Sequence, residues 1–223
     1  MSNVVLHRKA IVLRKQKKSY SQIKSILGVS KSTLSAWLRA YPLTREEINN
    51  LRANSEIRIE KYRQTMKKKR DERFSSYLRE EKQKYLPLSK RGLLVAGLFL
   101  YWGEGNKASR CTISVNNTDP KLVQFALYWM LRALNIPLHK IRVYVHLYAD
   151  MNVQAELKYW SRLLGVPLRQ FVKPYIKASK RSEIDQKGFG HGTCGVRAEN
   201  TVIKERILAA IQVIADHYVR KLS

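Results

Sequence analysis

The segment over residues 95–107 combines an apolar helical run with a single carboxylate held between two glycines. Residues three, four and seven apart lie on one face of a helix, so the small residues of this run form a stripe that leads down to Glu104. A stripe of small residues lets a second backbone approach closely. The sequence therefore predicts a tight helix–helix interface with a carboxylate at its foot, formed by Ala96, Gly97, Leu100 and Gly103.

The charge of the chain limits the partners that it can have. The 223 residues include 43 Lys and Arg against 17 Asp and Glu, which gives a formal net charge of +26. Such a field attracts nucleic acid or an anionic membrane surface. A helix that spans a bilayer needs roughly 20 apolar residues, and no run in the chain approaches that length. Nucleic acid is therefore the favoured partner, and no membrane association is expected.

Cysteine, histidine and glycine usage argues against a zinc site and a nucleotide cofactor. Cys111 and Cys194 form no Cys-x-x-Cys pair, and the histidines lack metal-ligand spacing. Two isolated cysteines are typical of a reduced cytoplasmic protein. The glycine-rich residues 188–195 lack the Gly-Lys-Ser/Thr ending of a phosphate-binding loop. We therefore expect no small-molecule cofactor.

Residues 1–43 contain no carboxylate and are predicted to form helices. Gly28 can end one short amphipathic helix in the left-handed conformation, and Ser30 can cap the next. Two helices joined by such a turn are the helix-turn-helix design, and residues 5–41 resemble its resolvase and transposase type. A second helix of this kind enters the major groove of double-stranded DNA; the alternative is an ordinary helical hairpin with a solvated basic face. The residues expected to face bases or phosphates are Lys31, Ser32, Thr33, Ser35 and Arg39.

Residues 44–90 are predicted to form a helical connector. Thr44 and Glu47 match a capping box, and no glycine or proline follows before Pro87. One long polar helix is therefore expected, ending near residue 85. Its basic cluster at residues 67–70 can follow a phosphate backbone, although a solvated linker helix accounts for the composition equally well.

Residues 91–223 have the pattern of a mixed domain, which makes the chain as a whole α+β. Alternating apolar residues predict strands over 110–116, 141–148, 170–178 and 193–199, separated or followed by helices. Asp119 and Asp150 are interpreted as helix caps. The resulting order, α-β-α-β-α-β-β-α, implies helices packed on one face of a sheet.

The other face of this sheet is expected to be polar, aromatic and basic. In the strand over 141–148, polar and aromatic residues alternate with apolar ones. A twisted sheet with such a face can lie in a major groove, whereas the simpler alternative is a solvated sheet face. The residues expected to contact DNA are Arg142, Tyr144, His146, Lys173 and Arg197.

The motif over residues 95–105, followed by a strand, resembles the LAGLIDADG homing-endonuclease family. In that family a small-residue helix packs against its twin, and an acid before the last glycine binds the catalytic Mg²⁺. The resemblance implies that Glu104 is the metal ligand, and that a homodimer is needed because the motif occurs once. Lys107 and Lys177 are the candidates for stabilising charge at the phosphate. The family usually has two strands directly after the motif helix, where this chain is predicted to have one strand and then a helix.

Together these features predict a cytoplasmic, site-specific DNA-binding protein. Two functions are compatible with the sequence: a Mg²⁺-dependent DNA endonuclease that acts as a homodimer, and a non-catalytic transcriptional regulator derived from the same fold. An RNA-binding module is a third class that composition alone does not exclude.

Overall fold

The computed structural model describes residues 3–51, 54–180 and 190–220. It divides the chain into two units, Met1–Leu86 and Pro87–Ser223. The first unit contains both residues 1–43 and residues 44–86, which were expected to be a DNA-binding domain and most of a connector. The chain is α+β, with all its described strands in the second unit.

The first unit is helical, and three of its helix ends fall at residues that the sequence marked. The side chain of Ser30 accepts a hydrogen bond from the Thr33 amide at 3.1 Å, and Gly28 ends the preceding helix with φ +67°. Thr44 and Glu47 form the expected capping box. The helices are α1 (Asn3–Lys15), α2 (Tyr20–Leu27), α3 (Lys31–Trp37), α4 (Arg45–Asn49) and α5 (Asn54–Tyr85).

The core of the first unit holds α1, α2 and α3 together. Ala10, Ile23 and Leu34 are completely buried there, which fixes the angle between the two helices of the turn. A smaller cluster of Leu43, Ile48 and Leu51 packs beside Ile57 near the start of α5. These apolar contacts, rather than propensity, position the short helix α4.

The prediction of one continuous helix from residue 44 to 85 was wrong at its start. The structure has a five-residue helix, α4, which ends at Asn49, and then the 32-residue α5. Asn49 and Asn50 are weak helix formers because their side chains compete for backbone hydrogen bonds. Burial of Leu51 in the small apolar cluster then favours the break.

The second unit contains a four-stranded mixed sheet with the order β1-β4-β2-β3. β4 pairs antiparallel with both β1 and β2, so β1 and β2 run parallel with β4 inserted between them, and β3 pairs parallel with β2. The elements are α6 (Lys90–Glu104), β1 (Thr112–Asn117), α7 (Pro120–Arg132), β2 (Arg142–Tyr148), α8 (Val153–Leu164), β3 (Tyr175–Lys177), β4 (Thr193–Glu199) and α9 (Thr201–Val219).

One hydrophobic core fills the space between the sheet and its helices. The apolar residues of β2 predicted for one face, Val143, Val145 and Leu147, are all completely buried. Trp129 of α7 and Trp160 of α8 are the largest buried side chains of this core. α7 packs against β1 and β4, and α6 packs against β1. The mixed α+β class expected from the sequence is confirmed.

Two local predictions in the second unit were wrong. The strand expected over 170–178 is reduced to Tyr175–Lys177, because Pro174 has no amide for the ladder and the buried Gln170 side chain donates to the Leu138 and Ile141 carbonyls at 2.8 Å. Asp150 does not cap α8. Asn152 lies directly before that helix and accepts a hydrogen bond from the Ala155 amide at 3.0 Å. Most of residues 179–192, between the last two expected strands, lie outside the described residues.

Candidate nucleic-acid interface

The start of α3 carries the exposed polar side chains predicted for the helix-turn-helix. Lys31 and Ser32 are exposed, whereas Thr33 and Ser35 are half-buried. The Ser30 hydroxyl lies 2.8 Å from the hydroxyls of both Ser32 and Thr33, so these two side chains also take part in the cap. Lys31 therefore has the greatest freedom to reach a ligand.

Arg39 was predicted on the same helix but lies just beyond it. α3 ends at Trp37 with Leu38 as its cap, and the exposed Arg39 follows in the turn toward Pro42. Leu38 is buried in the core, which keeps this turn close to the helix. Arg39 and Ser35 line a concavity of about 410 Å³ whose other wall is α5.

Arg63 of α5 is a basic residue near α3 that the sequence did not single out. Its guanidinium lies 4.0 Å from the centre of the Tyr20 ring, and Arg14 lies over the same ring at 4.6 Å. One Arg63 nitrogen approaches the Lys31 carbonyl at 3.5 Å. Only the fold reveals this placement, because 32 residues separate Arg63 from Lys31.

The open face of the sheet brings together side chains from three strands. Arg197 of β4 lies between Arg142 of β2 and Ser114 of β1 in the strand register. Two residues further along β2, Tyr144 lies across from Gly195 of β4. A Cβ atom at Gly195 would come within 2.2 Å of the phenol ring. Glycine at this position therefore lets the tyrosine lie flat over the strand. The register thus pairs two arginines, and the Arg142 guanidinium donates to the His139 carbonyl at 2.9 Å.

His146 and Tyr175 continue this face toward the sheet edge. Their ring centres are 5.3 Å apart in an edge-on arrangement, and His146 lies 5.8 Å from Tyr144. Burial raises the pKa of the Tyr144 phenol, and a hydrogen bond with the Ser114 hydroxyl partly offsets this increase. The phenol therefore stays neutral and able to donate a hydrogen bond at physiological pH.

A concavity of about 420 Å³ lies on this face, and its lining within the described part of the chain includes neither Asp nor Glu. It unites Tyr144, His146, Lys173 and Arg197, four of the five sheet residues that were predicted to contact DNA. Arg142 lies beside Arg197 in the strand register but does not line the concavity. Lys177 lies elsewhere, with its ammonium 4.9 Å from the Tyr148 ring centre. The lining residues are Asn106, Thr112, Ser114, Tyr144, Val145, His146, Val172, Lys173, Tyr175 and Arg197.

Glu104 is exposed at the last position of α6 and makes no hydrogen bond or ion pair with any residue that the structure describes. Asn106, two residues later, lines the concavity of the sheet face. Lys107 is also exposed. Within the described part of the chain, no three His, Cys, Asp or Glu side chains are grouped closely enough to hold a metal ion. Within the described residues, one chain therefore offers a metal ion at this position only the carboxylate of Glu104.

A buried lysine supports the loop that follows Glu104. The Lys204 ammonium donates to the Tyr101 hydroxyl and to the Asn106 carbonyl, which also accepts from Tyr101. Burial, with the nearby charge of Lys107, lowers the pKa of Lys204, and burial raises the pKa of Tyr101 to about 12. The apolar pattern of α9 did not indicate that Lys204 would be buried.

The small-residue stripe on α6 is divided between the interior and the surface. Gly97 is buried, and a Cβ atom there would lie 2.0 Å from the Trp129 indole of α7. Gly103 has no atom within 4 Å of such a Cβ. Ala96 and Leu100 are half-buried. At Gly97 the close contact is therefore made with the chain's own α7.

No helix in the described residues is both long enough and apolar enough to cross a membrane. The cysteines are free, Cys111 on the surface and Cys194 in the core, where burial raises the pKa of its thiol. Comparison with protein-family models, with curated proteins and with solved structures finds no match to this chain.

Proposed function

We propose that this protein binds double-stranded DNA site-specifically, with α3 in the major groove. The observation that carries the proposal is the α2–α3 pair, whose angle is fixed by a buried core and whose second helix begins with the exposed Lys31 and Ser32. No carboxylate precedes Glu46 in the sequence. A rigid, positively charged helix of this kind matches the depth and charge of the groove.

The open sheet face provides a second contact surface for the same partner. Its concavity combines the Arg197 guanidinium and the Lys173 ammonium with hydroxyl and aromatic groups, and none of the described residues that line it is an acid. Charged donors position a protein on phosphates, while Tyr, Ser and Asn side chains reach phosphates or base edges. Two such surfaces on one chain suit an extended DNA site.

The cell compartment and the oligomeric state belong to the same proposal. Free cysteines such as Cys111 and Cys194 are typical of a reducing compartment, so we place the protein in the cytoplasm. We propose that it binds DNA as a homodimer, with two copies of α6 bringing two Glu104 carboxylates together. An isologous dimer of this kind binds two related half-sites.

The test of DNA binding uses fluorescence anisotropy with a labelled 30-base-pair duplex selected from a random pool by the wild-type protein. Lys31→Gln is compared with Lys15→Gln, which removes the same charge from an exposed position on α1. We expect Lys31→Gln to weaken binding by about tenfold and Lys15→Gln by less than twofold, since one good base or phosphate contact contributes about 1–3 kcal/mol. Equal effects of the two variants would contradict the placement of α3.

Mg²⁺-dependent DNA cleavage is the second candidate function, and regulation without cleavage is its alternative. The observation that favours cleavage is the exposed Glu104 carboxylate. No described Lys or Arg forms an ion pair with it, although the chain has a net charge of +26. Mg²⁺ takes oxygen ligands and is commonly held by one or two carboxylates. Glu104 suits such an ion, and the bound metal would polarise a phosphate oxygen.

Cleavage of the selected duplex in the presence of Mg²⁺ separates these two functions. Glu104→Gln should abolish cleavage and leave the affinity for the duplex within twofold of wild type. Glu205→Gln, at an exposed position on α9, is the matched control and should cleave normally. If wild type binds the duplex and does not cut it, the protein is a regulator by this account.

A further inference from the structure

The concavity between the end of α3 and α5, here called the α5 groove, is strongly basic. Its volume is about 410 Å³, and it opens where Ser35 and Arg39 face the long helix. Its lining residues include seven Lys or Arg side chains from three parts of the first unit. They are Arg14, Arg39, Arg63, Lys67, Lys69, Arg70 and Arg73.

The positive charge of the α5 groove is largely uncompensated. Among the residues that the structure describes, Glu60 is the only acidic one that lines the groove, and both of its oxygens bind the Arg14 guanidinium, at 3.1 and 2.9 Å. Arg70 has a carboxylate neighbour, with Asp71 at 3.6 Å. No described residue forms an ion pair with Arg39, Lys67, Lys69 or Arg73. Several cations thus surround an open concave space without a counter-charge.

The acidic residues in the middle of α5 lie off the groove, in a neighbouring concavity that Lys67 and Lys68 also line. Arg63, Lys67 and Arg70 follow one another at intervals of four and three residues, so they lie on one face, toward the groove. The carboxylates of the same stretch, Asp71 and Glu72, do not line the groove, and Glu72 lies 3.8 Å from Lys68. A helix that served only as a solvated spacer has no need for this separation.

We propose that the α5 groove binds the phosphate backbone of the duplex that α3 reads, which makes α5 a DNA-binding element rather than a connector. The inference rests on the proposed function. Ser35 and Arg39 link the two surfaces, because they belong to the groove and to the predicted DNA face of α3. A concave basic surface suits a phosphate backbone, while an anionic membrane presents a flat surface.

Two double variants of α5 test this inference in the full-length chain. Lys67→Gln/Arg73→Gln removes two positive charges from the groove. Lys61→Gln/Lys68→Gln removes two from exposed positions of α5 that do not line it. The affinity for the selected 30-base-pair duplex is measured by anisotropy between 50 and 300 mM KCl. Circular dichroism confirms that both variants are folded.

We expect the groove variant to lower the magnitude of the log–log salt slope by about 1.8, since each lost phosphate contact contributes about 0.9. Its affinity at low salt should fall by at least tenfold, while the control variant changes less than threefold. If both variants behave alike and Lys31→Gln still weakens binding, the inference fails and the proposed function stands.

Two further outcomes complete the test. If wild type fails to bind any duplex from the pool, the proposed function fails, and the inference fails with it. A 30-nucleotide hairpin RNA is titrated in parallel. If the groove variant loses affinity for this RNA and keeps full affinity for the duplex, the groove is an RNA site and the inference is overturned.

Discussion

The Arg14 guanidinium and the Glu60 carboxylate form a buried, two-point ion pair between α1 and α5, although 46 residues separate them in sequence. Arg14 also donates to the Tyr41 and Lys18 carbonyls, at 2.9 and 3.0 Å. Glu60 accepts from the Tyr20 amide at 3.2 Å. These bonds connect the start of α2, the chain after α3 and the long helix, so α5 is a structural part of the same unit as α1, α2 and α3.

Removing one member of this ion pair should strongly destabilise the first unit. We expect Glu60→Ala to lower the free energy of unfolding by about 3–5 kcal/mol, because it leaves a buried guanidinium without its counter-charge. Urea unfolding followed by circular dichroism measures the loss. Arg14→Met/Glu60→Leu should recover part of it, since two apolar side chains need no desolvated charge, although the Tyr20 amide and the Lys18 and Tyr41 carbonyls lose a partner. A double variant as unstable as the single one would contradict this explanation.

The two glycines of the α6 stripe should respond oppositely to alanine. Gly97→Ala places a methyl group 2.0 Å from the fully buried Trp129 indole, so we expect a loss of about 1–3 kcal/mol or more from overpacking. Gly103→Ala meets open space and should be neutral or stabilising by up to about 1 kcal/mol. Thermal unfolding of the two variants compares them directly. Equal losses would mean that Gly103 is also packed.

The buried Tyr101 phenol should make stability fall at high pH. Its pKa in the folded chain, about 12, lies above the ordinary value of 10.0, so its contribution to stability is complete below pH 10 and is lost between pH 10 and 12. Between pH 9 and 11, the stability difference between wild type and Tyr101→Phe should shrink by about 1 kcal/mol.

The control for this pH measurement is the same comparison in a Lys204→Met background. The pKa of Lys204 is lowered by burial, so its penalty disappears as pH rises through the same range and acts in the opposite direction. A stability difference that does not change with pH in this background would contradict the burial of the phenol.

The sheet face should contribute to DNA affinity independently of α3. Arg142→Gln/Arg197→Gln should weaken binding to the selected duplex and lower the magnitude of the salt slope by about 1.8, as two phosphate contacts require. Arg132→Gln/Arg162→Gln removes the same charge from exposed positions on α7 and α8. Anisotropy titrations at several salt concentrations compare the salt slopes of the two double variants. Indistinguishable slopes would exclude the sheet face from the interface.

Local sequence signals predicted the parts of the fold that depend on neighbouring residues. Gly28, Ser30 and Thr44 take the capping roles expected of them, because a cap is determined within about four residues. The alternation along β2 predicted its buried and open faces correctly, since side chains of a strand point to opposite sides.

Contacts between distant segments were not predictable in the same way. The sequence marked Gly97 as a site of close approach but did not identify Trp129 as its neighbour. Lys204 and Glu60 look like ordinary surface charges on helices, and only the fold shows that both are buried and hydrogen-bonded. The tertiary neighbours of these residues, rather than their local pattern, determine their environment.

The salt dependence of duplex binding tests the central claim most directly. The affinity of the full-length protein for the selected 30-base-pair duplex is measured between 50 and 300 mM KCl, beside a single-stranded DNA of the same length. We predict tighter binding to the duplex and a log–log slope steeper than about −4, as expected when five or more phosphates are neutralised. A flat response, or equal affinity for single-stranded DNA, would contradict recognition of double-stranded DNA by this fold.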